Sequence, residues 1–113
     1  MLDASMIQAI PNTPRVDLVQ FTPTFSTICS VGKAPFWGTV TISFRPDTML
    51  LEFESFETWL HSMAQDHQTI EDLCRRVFDA LTNCLGPVPL FVEVNAETTV
   101  HAPASARIER LRK

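Results

Sequence analysis

The stretch FTPTFSTICSVGKAPFWGTVTISFRP, Phe21 to Pro46, decides how the rest of the chain is read. Its second half, Trp37 to Arg45, is the clearest strand in the sequence. Val40, Ile42 and Phe44 share one face, and Thr39, Thr41, Ser43 and Arg45 share the other. The first half reads differently. Around Cys29 stand Pro23 and Pro35, Gly32 and Gly38, and five Ser or Thr residues from Thr22 to Ser30. That composition predicts a turn-rich connection with the cysteine in its middle. Buried cysteines usually behave as small apolar residues inside helices or strands, so a thiol held in a loop asks for a reason.

Upstream, Val16 to Thr22 (VDLVQFT) reads as a first strand. Residues 1–14, with Pro11 and Pro14 and little periodicity, read as an N-terminal arm, leaving 15–113 as a single domain. Downstream, Pro46-Asp47 makes a turn, and Met49 to Phe53 either extends the sheet or runs into a helix. Phe56, Trp59, Leu60 and Met63 then form one apolar stripe at helical spacing, and Ile70, Leu73, Cys74, Val77, Phe78, Leu81 and Leu85 form a longer one. Thr69 is the expected N-cap of the second helix, with Asp72 in a capping-box position, and Gly86-Pro87 stop it. Leu90 to Thr99 returns to alternation, and Ser105 to Leu111 reads as a final edge strand. The order β, β, α, α, β, β predicts an α+β domain: a four-stranded antiparallel sheet of two hairpins, with both helices on one face. Such a sheet is open at both edges, and it is expected to form a homo-oligomer through them.

The 113 residues, 45% of them hydrophobic, suffice for one core. A net charge of −4 argues against a surface that grips nucleic acid throughout. The basic cluster Arg107, Arg110, Arg112 and Lys113 reads as a frayed, solvated terminus. No run approaches the roughly 18 apolar residues of a membrane span, and MLDASMIQAI has no basic segment before an apolar one, so no signal peptide is expected. The three cysteines, 45 and 10 residues apart, match no zinc pattern, and free thiols in a reducing cytoplasm are expected. Three glycines in the chain exclude a Gly-rich dinucleotide fingerprint.

Among candidate functional residues, Cys74 and Cys84 fall on or beside the apolar stripe of the second helix and read as packed thiols. Cys29 reads as packing or as a nucleophile, since the Lys33 ammonium close in sequence would lower its pKa. Glu71, in the first turn of the second helix, is stabilised there by the helix dipole. It could also accept a pair of donors, such as the amidine-like N–H edge of a guanine or pterin. His61, His67 and His101 pair with no other ligand at metal spacing, and Glu52, Glu54 and Glu57 read as a solvated face.

These pieces together resemble a known family. The run IPNTPRVDLVQFTPTFSTICSVGKAPFWGTVTISFRP is similar to the opening of the QueF nitrile reductases, tunnelling-fold (T-fold) enzymes that act on 7-cyano-7-deazaguanine. The family carries an aromatic-Pro-Glu-Phe-Thr-Ser-Leu-Cys run and then a Gln-Pro-Asp-(Phe/Trp)-Gly turn; here the counterparts are FTPTFSTIC and APFWGTV. The likeness extends through EFESFETWL and the TIEDL helix start. GTP cyclohydrolase I shares the fold, but its Cys-Glu-His-His zinc run has no counterpart, since CSVG stands at Cys29 and ETTV at Glu97. No zinc site is expected.

The resemblance implies that Cys29 is the nucleophile that adds to the nitrile as a thioimide. It further implies that Glu71 recognises the deazapurine, that Glu52 and Ser55 lie among the substrate contacts, and that sites form between subunits. Three departures qualify this. The family's general-acid Asp is Phe36 here, and the His before the substrate Glu is Ile70. The Glu-x-Lys-Ser-x-Lys segment that contacts NADPH has become Glu52-Phe53-Glu54-Ser55-Phe56-Glu57. Two carboxylates where the family holds two cations would repel a phosphate by on the order of 1–4 kcal/mol per close pair, so NADPH is not expected. The QueF-like amidinotransferases, which add ammonia to the same nitrile, also lack those lysines. The expected function is therefore non-reductive chemistry on a 7-deazapurine, with a nucleic-acid acceptor weakly supported by the basic tail. The alternatives are a reductase with a diverged cofactor site and a non-catalytic purine or pterin binder.

Overall fold

A computed structural model describes residues 2–98 and 102–113. A 3-10 turn at Ala4–Met6 and strand β1 (Ala9–Pro11) come first. Then follow β2 (Val19–Phe21), β3 (Thr24–Cys29), β4 (Pro35–Phe44), β5 (Met49–Leu51), α1 (Phe53–His61), β6 (His67–Gln68), α2 (Ile70–Leu85), β7 (Leu90–Thr98) and β8 (Ala104–Arg110). The α+β class and the helix pair are as expected. The main sheet, however, has six strands rather than four, in the order β6-β3-β4-β7-β8, with β2 also on β4; β1 and β5 form a separate pair.

The first cause is Pro23. It reads as a breaker in the sequence, but here it interrupts a strand without ending it. Proline has no N–H to give the ladder, yet its carbonyl still accepts the Val40 N–H at 2.9 Å. The register against β4 is the same on both sides, from Val19↔Phe44 through Phe21↔Ile42 to Thr24↔Thr39 and Ile28↔Pro35. The segment expected to be a loop around Cys29 is thus mostly strand, and Cys29 is its last residue. The second cause is β6, which joins β3 in parallel through Ile28↔His67 and Cys29↔Gln68. The sheet is therefore mixed rather than wholly antiparallel. Two residues are too few to show period-2 alternation, so nothing local announces this strand.

The core lies on one face of the sheet. Val40, Ile42 and Phe44 of β4 and Val92 and Val94 of β7 are buried, as are Leu73, Val77 and Leu81 of α2 and Phe56, Trp59 and Leu60 of α1. Burying each such side chain contributes roughly 1.5–3 kcal/mol. Thr69 caps α2 reciprocally with Asp72, and Gly86 (φ 83°) ends it with its N–H on Thr82 O. On the opposite face Thr39, Thr41 and Ser43 are half-exposed, and Trp37 is exposed.

Near the start of β4 a bulge sets Trp37 opposite Thr98 and Gly38 opposite Ala96, leaving Glu97 as the extra residue. The stretch read as an arm carries the 3-10 turn and β1. Ile7 is buried in the core, and the Gln8 N–H donates to Ser55 Oγ at 2.9 Å. Of the C-terminal basic residues, Arg107 and Arg110 are not frayed, because β8 pairs with β7 along its length. Arg107 meets Glu93 at 3.5 Å, Arg110 donates to Val88 O and Thr82 Oγ1, and Lys113 meets Asp47 at 2.6 Å.

Candidate functional site

Alternation along β3 fixes where Cys29 points. Phe25 and Thr27 are buried on the helix-facing side, and Cys29 follows them at the last rung before the hairpin loop of residues 30–34. That loop is closed by the Cys29 N–H on Ala34 O and the Lys33 N–H on Cys29 O, both at 2.9 Å. Lys33 takes a left-handed conformation (φ 60°) to make the turn. The chain so curled directs backbone N–H groups at the sulfur, with Gly32 N donating to Cys29 Sγ at 3.3 Å. These amides, Gly32 first and then Val31, hold the Cys29 thiol below its ordinary pKa, with a smaller contribution from the Lys33 charge. The cation expected to activate the thiol is thus secondary to the loop's own dipoles. The Lys33 ammonium itself donates to Ser30 O at 2.9 Å.

Cys74 and Cys84 behave as packed thiols, and burial pushes both up in pKa. Cys74 Sγ lies 3.5 Å from Ala106 O and 3.6 Å from Val92 O, between α2 and the sheet.

A pocket of about 540 Å³ opens between the end of the β3–β4 hairpin, the first turn of α2 and the start of β8. Cys29 and Glu71 both line it, and so do Phe36 and Ile70. Within α2's first turn the two acids divide their work. Asp72 is occupied by the capping box, with its Oδ2 3.4 Å from the Thr69 N–H and its own N–H on Thr69 Oγ1 at 3.1 Å. Glu71 is exposed on the pocket side. Among the described residues the lining contains no Asp, His, Lys or Arg. Phe36 is buried edge-to-face against Phe25, with centroids 5.8 Å apart, so core fills the position where the resemblance implied an acid.

Glu52 and Ser55 do not line this pocket. They build the start of α1. The Glu52 carboxylate caps the helix, accepting the Ser55 and Glu54 N–H groups at 2.8 Å each. Those two bonds, Ser55's first, hold its carboxyl below the usual range. Ser55 Oγ donates to Glu52 O and accepts from Gln8. His61 is at the end of α1 with Nε2 3.0 Å from Thr24 O, His67 is exposed on β6, and His101 lies outside the described residues. Among the described residues no three His, Cys, Asp or Glu side chains converge on a metal-sized site, and no helix is long and apolar enough to cross a membrane.

Sequence reasoning missed Thr27, Gln68 and Arg76. Thr27 and Gln68 are buried polar residues, joined by Gln68 Nε2 donating to Thr27 Oγ1 at 2.9 Å. Arg76 Nη1 donates to Gln68 Oε1 at 2.9 Å. The available signal was Thr27's parity with Cys29, which the loop reading concealed.

No known family profile matches the chain. Among curated proteins it is 28% identical over 87 residues to the NADPH-dependent 7-cyano-7-deazaguanine reductase of Desulfovibrio desulfuricans, covering 74% of this chain and 52% of that one. It is 27% identical over 81 residues to the protein of the same name from Wolinella succinogenes, covering 70% and 65%. The chain thus spans between about half and two thirds of the length of these relatives. Its fold is similar to the crystal structure of the archaeosine synthase QueF-Like in the apo form. The TM-score is 0.76 at 17% identity, over 83% of this chain and 93% of that one. By sequence the chain is distantly similar to the NADPH-dependent 7-cyano-7-deazaguanine reductases, as its FTPTFSTIC and APFWGTV runs anticipate, and its fold matches that of the archaeosine synthase QueF-Like.

Proposed function

We propose that this T-fold protein binds a 7-deazaguanine bearing a nitrile and captures it through Cys29. The observation that carries the reading is the convergence of Cys29 and Glu71 on one pocket, from elements far apart in sequence. Glu71 accepts the paired N–H donors of the base and so orients it. The thiolate, stabilised by the Gly32 and Val31 amides, adds to the nitrile carbon. A C–S bond forms, one C–N π bond breaks, and the nitrogen takes a proton from water to give the thioimide. Ammonia then adds at that carbon, the C–S bond breaks to release the thiolate, and the product keeps ammonia's extra proton as an amidinium. The product class is that of an amidinotransferase, and the complete site is proposed to form between subunits of a homo-oligomer.

The start of α1 does not fit a dinucleotide phosphate. Glu54 is exposed there, Glu57 is half-exposed one turn on, and Glu52 spends its carboxylate on the helix cap. Phe36 and Ile70 in the pocket wall favour a second reading, in which the protein holds the base without reacting, because general acid–base groups would be needed for rapid turnover.

The deciding experiment is intact-protein mass after incubation with 7-cyano-7-deazaguanine, beside Cys29→Ala. An adduct of one ligand mass that vanishes in the variant supports the enzyme. Binding by calorimetry without an adduct leaves the non-catalytic binder, and the absence of both adduct and binding would falsify both readings at this site.

A further inference from the structure

We propose that Gln68, held between Thr27 and Arg76, is a positioning residue that sets Cys29 against Glu71. The inference rests on the reading of Cys29 as nucleophile and identifies what aligns that site. Cys29 ends β3 and Glu71 lies in the first turn of α2, and the short strand β6 pairs with the one and leads into the other. Its backbone ties to β3 on both sides of Cys29: Ile28 N–H donates to Asp66 O at 3.0 Å and Ser30 N–H to Gln68 O at 3.3 Å. Gln68 is directly opposite Cys29 in this ladder and immediately precedes Thr69, the α2 cap.

A two-residue parallel ladder is weak by itself, and the side chains beneath it reinforce it. Gln68 is 2% exposed and Thr27 is 1% exposed. The Gln68 amide spans from strand to helix, donating to Thr27 Oγ1 and accepting from Arg76 Nη1, each at 2.9 Å. Thr27 Oγ1 in turn donates to Asp66 O at 2.8 Å, and Arg76 also meets the Asp66 carboxylate at 3.3 Å. A buried amide whose two ends are both satisfied holds one geometry, because every alternative leaves a polar atom unpaired in the core. Thr27 is two residues before Cys29 on the same strand face, and Arg76 lies on the helix that carries Glu71. Gln68 therefore couples the strand that carries the sulfur to the helix that carries the carboxylate. Misplacement of a reacting group by about 1 Å costs on the order of 100-fold in rate.

The test is the rate of Cys29 alkylation by iodoacetamide across pH, read by peptide mass, well below the unfolding transition. Cys74 and Cys84 serve as internal controls. In Gln68→Leu, alkylation of Cys29 at neutral pH is expected to slow by roughly tenfold or more, with its pH midpoint moving up as the loop amides lose their aim. Cys74 and Cys84 should be unchanged. Arg76→Met shifts the profile the same way by less, and Thr27→Ser, which keeps the hydroxyl, retains the parent profile. A folded Gln68→Leu with the parent's profile overturns the proposal. If Gln68→Leu fails to fold, an unchanged profile in Arg76→Met overturns it instead. The nitrile ligand separates the two readings. A parent that alkylates normally but forms no adduct with 7-cyano-7-deazaguanine defeats the proposed chemistry and leaves the alignment role standing. A Gln68→Leu variant that forms adduct as fast as the parent defeats the alignment role alone.

Discussion

Gly38 passes so close beneath Asn95 that a Cβ built on it would stand 1.8 Å from the Asn95 carbonyl oxygen. The obstacle is backbone of a paired strand, at the bulge between β4 and β7, so no side-chain rotation relieves it. Gly38→Ala is therefore expected to destabilise by about 3 kcal/mol or more, read as a lowered urea midpoint. Because Ala96 borders both the bulge and the pocket, ligand binding should weaken in the fraction that still folds. A midpoint within experimental error of the parent would refute the close approach.

The Cys29 thiol titrates low chiefly because amides point at it. Its thiolate should persist at pH values where an unfolded-chain thiol, with a pKa of about 8.5, is protonated. The alkylation midpoint in the folded protein should accordingly lie below that in urea. Lys33→Met removes only the lesser cause and should move that midpoint little. If Lys33→Met restored an ordinary thiol midpoint, the charge rather than the loop would be the source.

Phe36 fills core as well as pocket wall. Phe36→Ala is expected to cost about 3–5 kcal/mol. Phe36→Asp, which puts an acid where the resemblance implied one, should be at least as damaging, since it buries a carboxylate against Phe25. Thermal unfolding of the two variants checks this, and a Phe36→Asp protein as stable as the parent would show that the pocket wall is wetter than its packing implies.

Glu52 caps α1 as a carboxylate with its pKa lowered by the amides it accepts. The sign follows from linkage. A depressed carboxyl contributes stability above the ordinary Glu pKa of about 4.3, and loses it as pH falls through its folded value. The difference in urea midpoint between parent and Glu52→Gln should thus be steady from neutral pH to about pH 5 and shrink toward zero in acid. A variant that kept the parent's stability but lost ligand binding would return Glu52 to the substrate contacts that the family resemblance assigns.

Periodicity alone identified β4, β7, both helices, the α2 capping box and the α+β class, because each depends on residues within a few positions of one another. The family resemblance added Cys29 and Glu71 as a candidate pair. What the sequence could not show was that Pro23 leaves the β2–β3 register intact, since that depends on the Val40 amide bonding its carbonyl. Nor could it show β6, whose two residues pair with a strand nearly forty positions earlier. Those non-local contacts made the cysteine loop into a strand end and placed Gln68 opposite Cys29. Glu52 and Ser55, by contrast, meet in a local helix cap and do not line the Cys29 pocket. Local chemistry chose the elements, and only tertiary pairing decided which side chains share a pocket, because hydrogen-bond partners across a sheet leave no spacing in the chain.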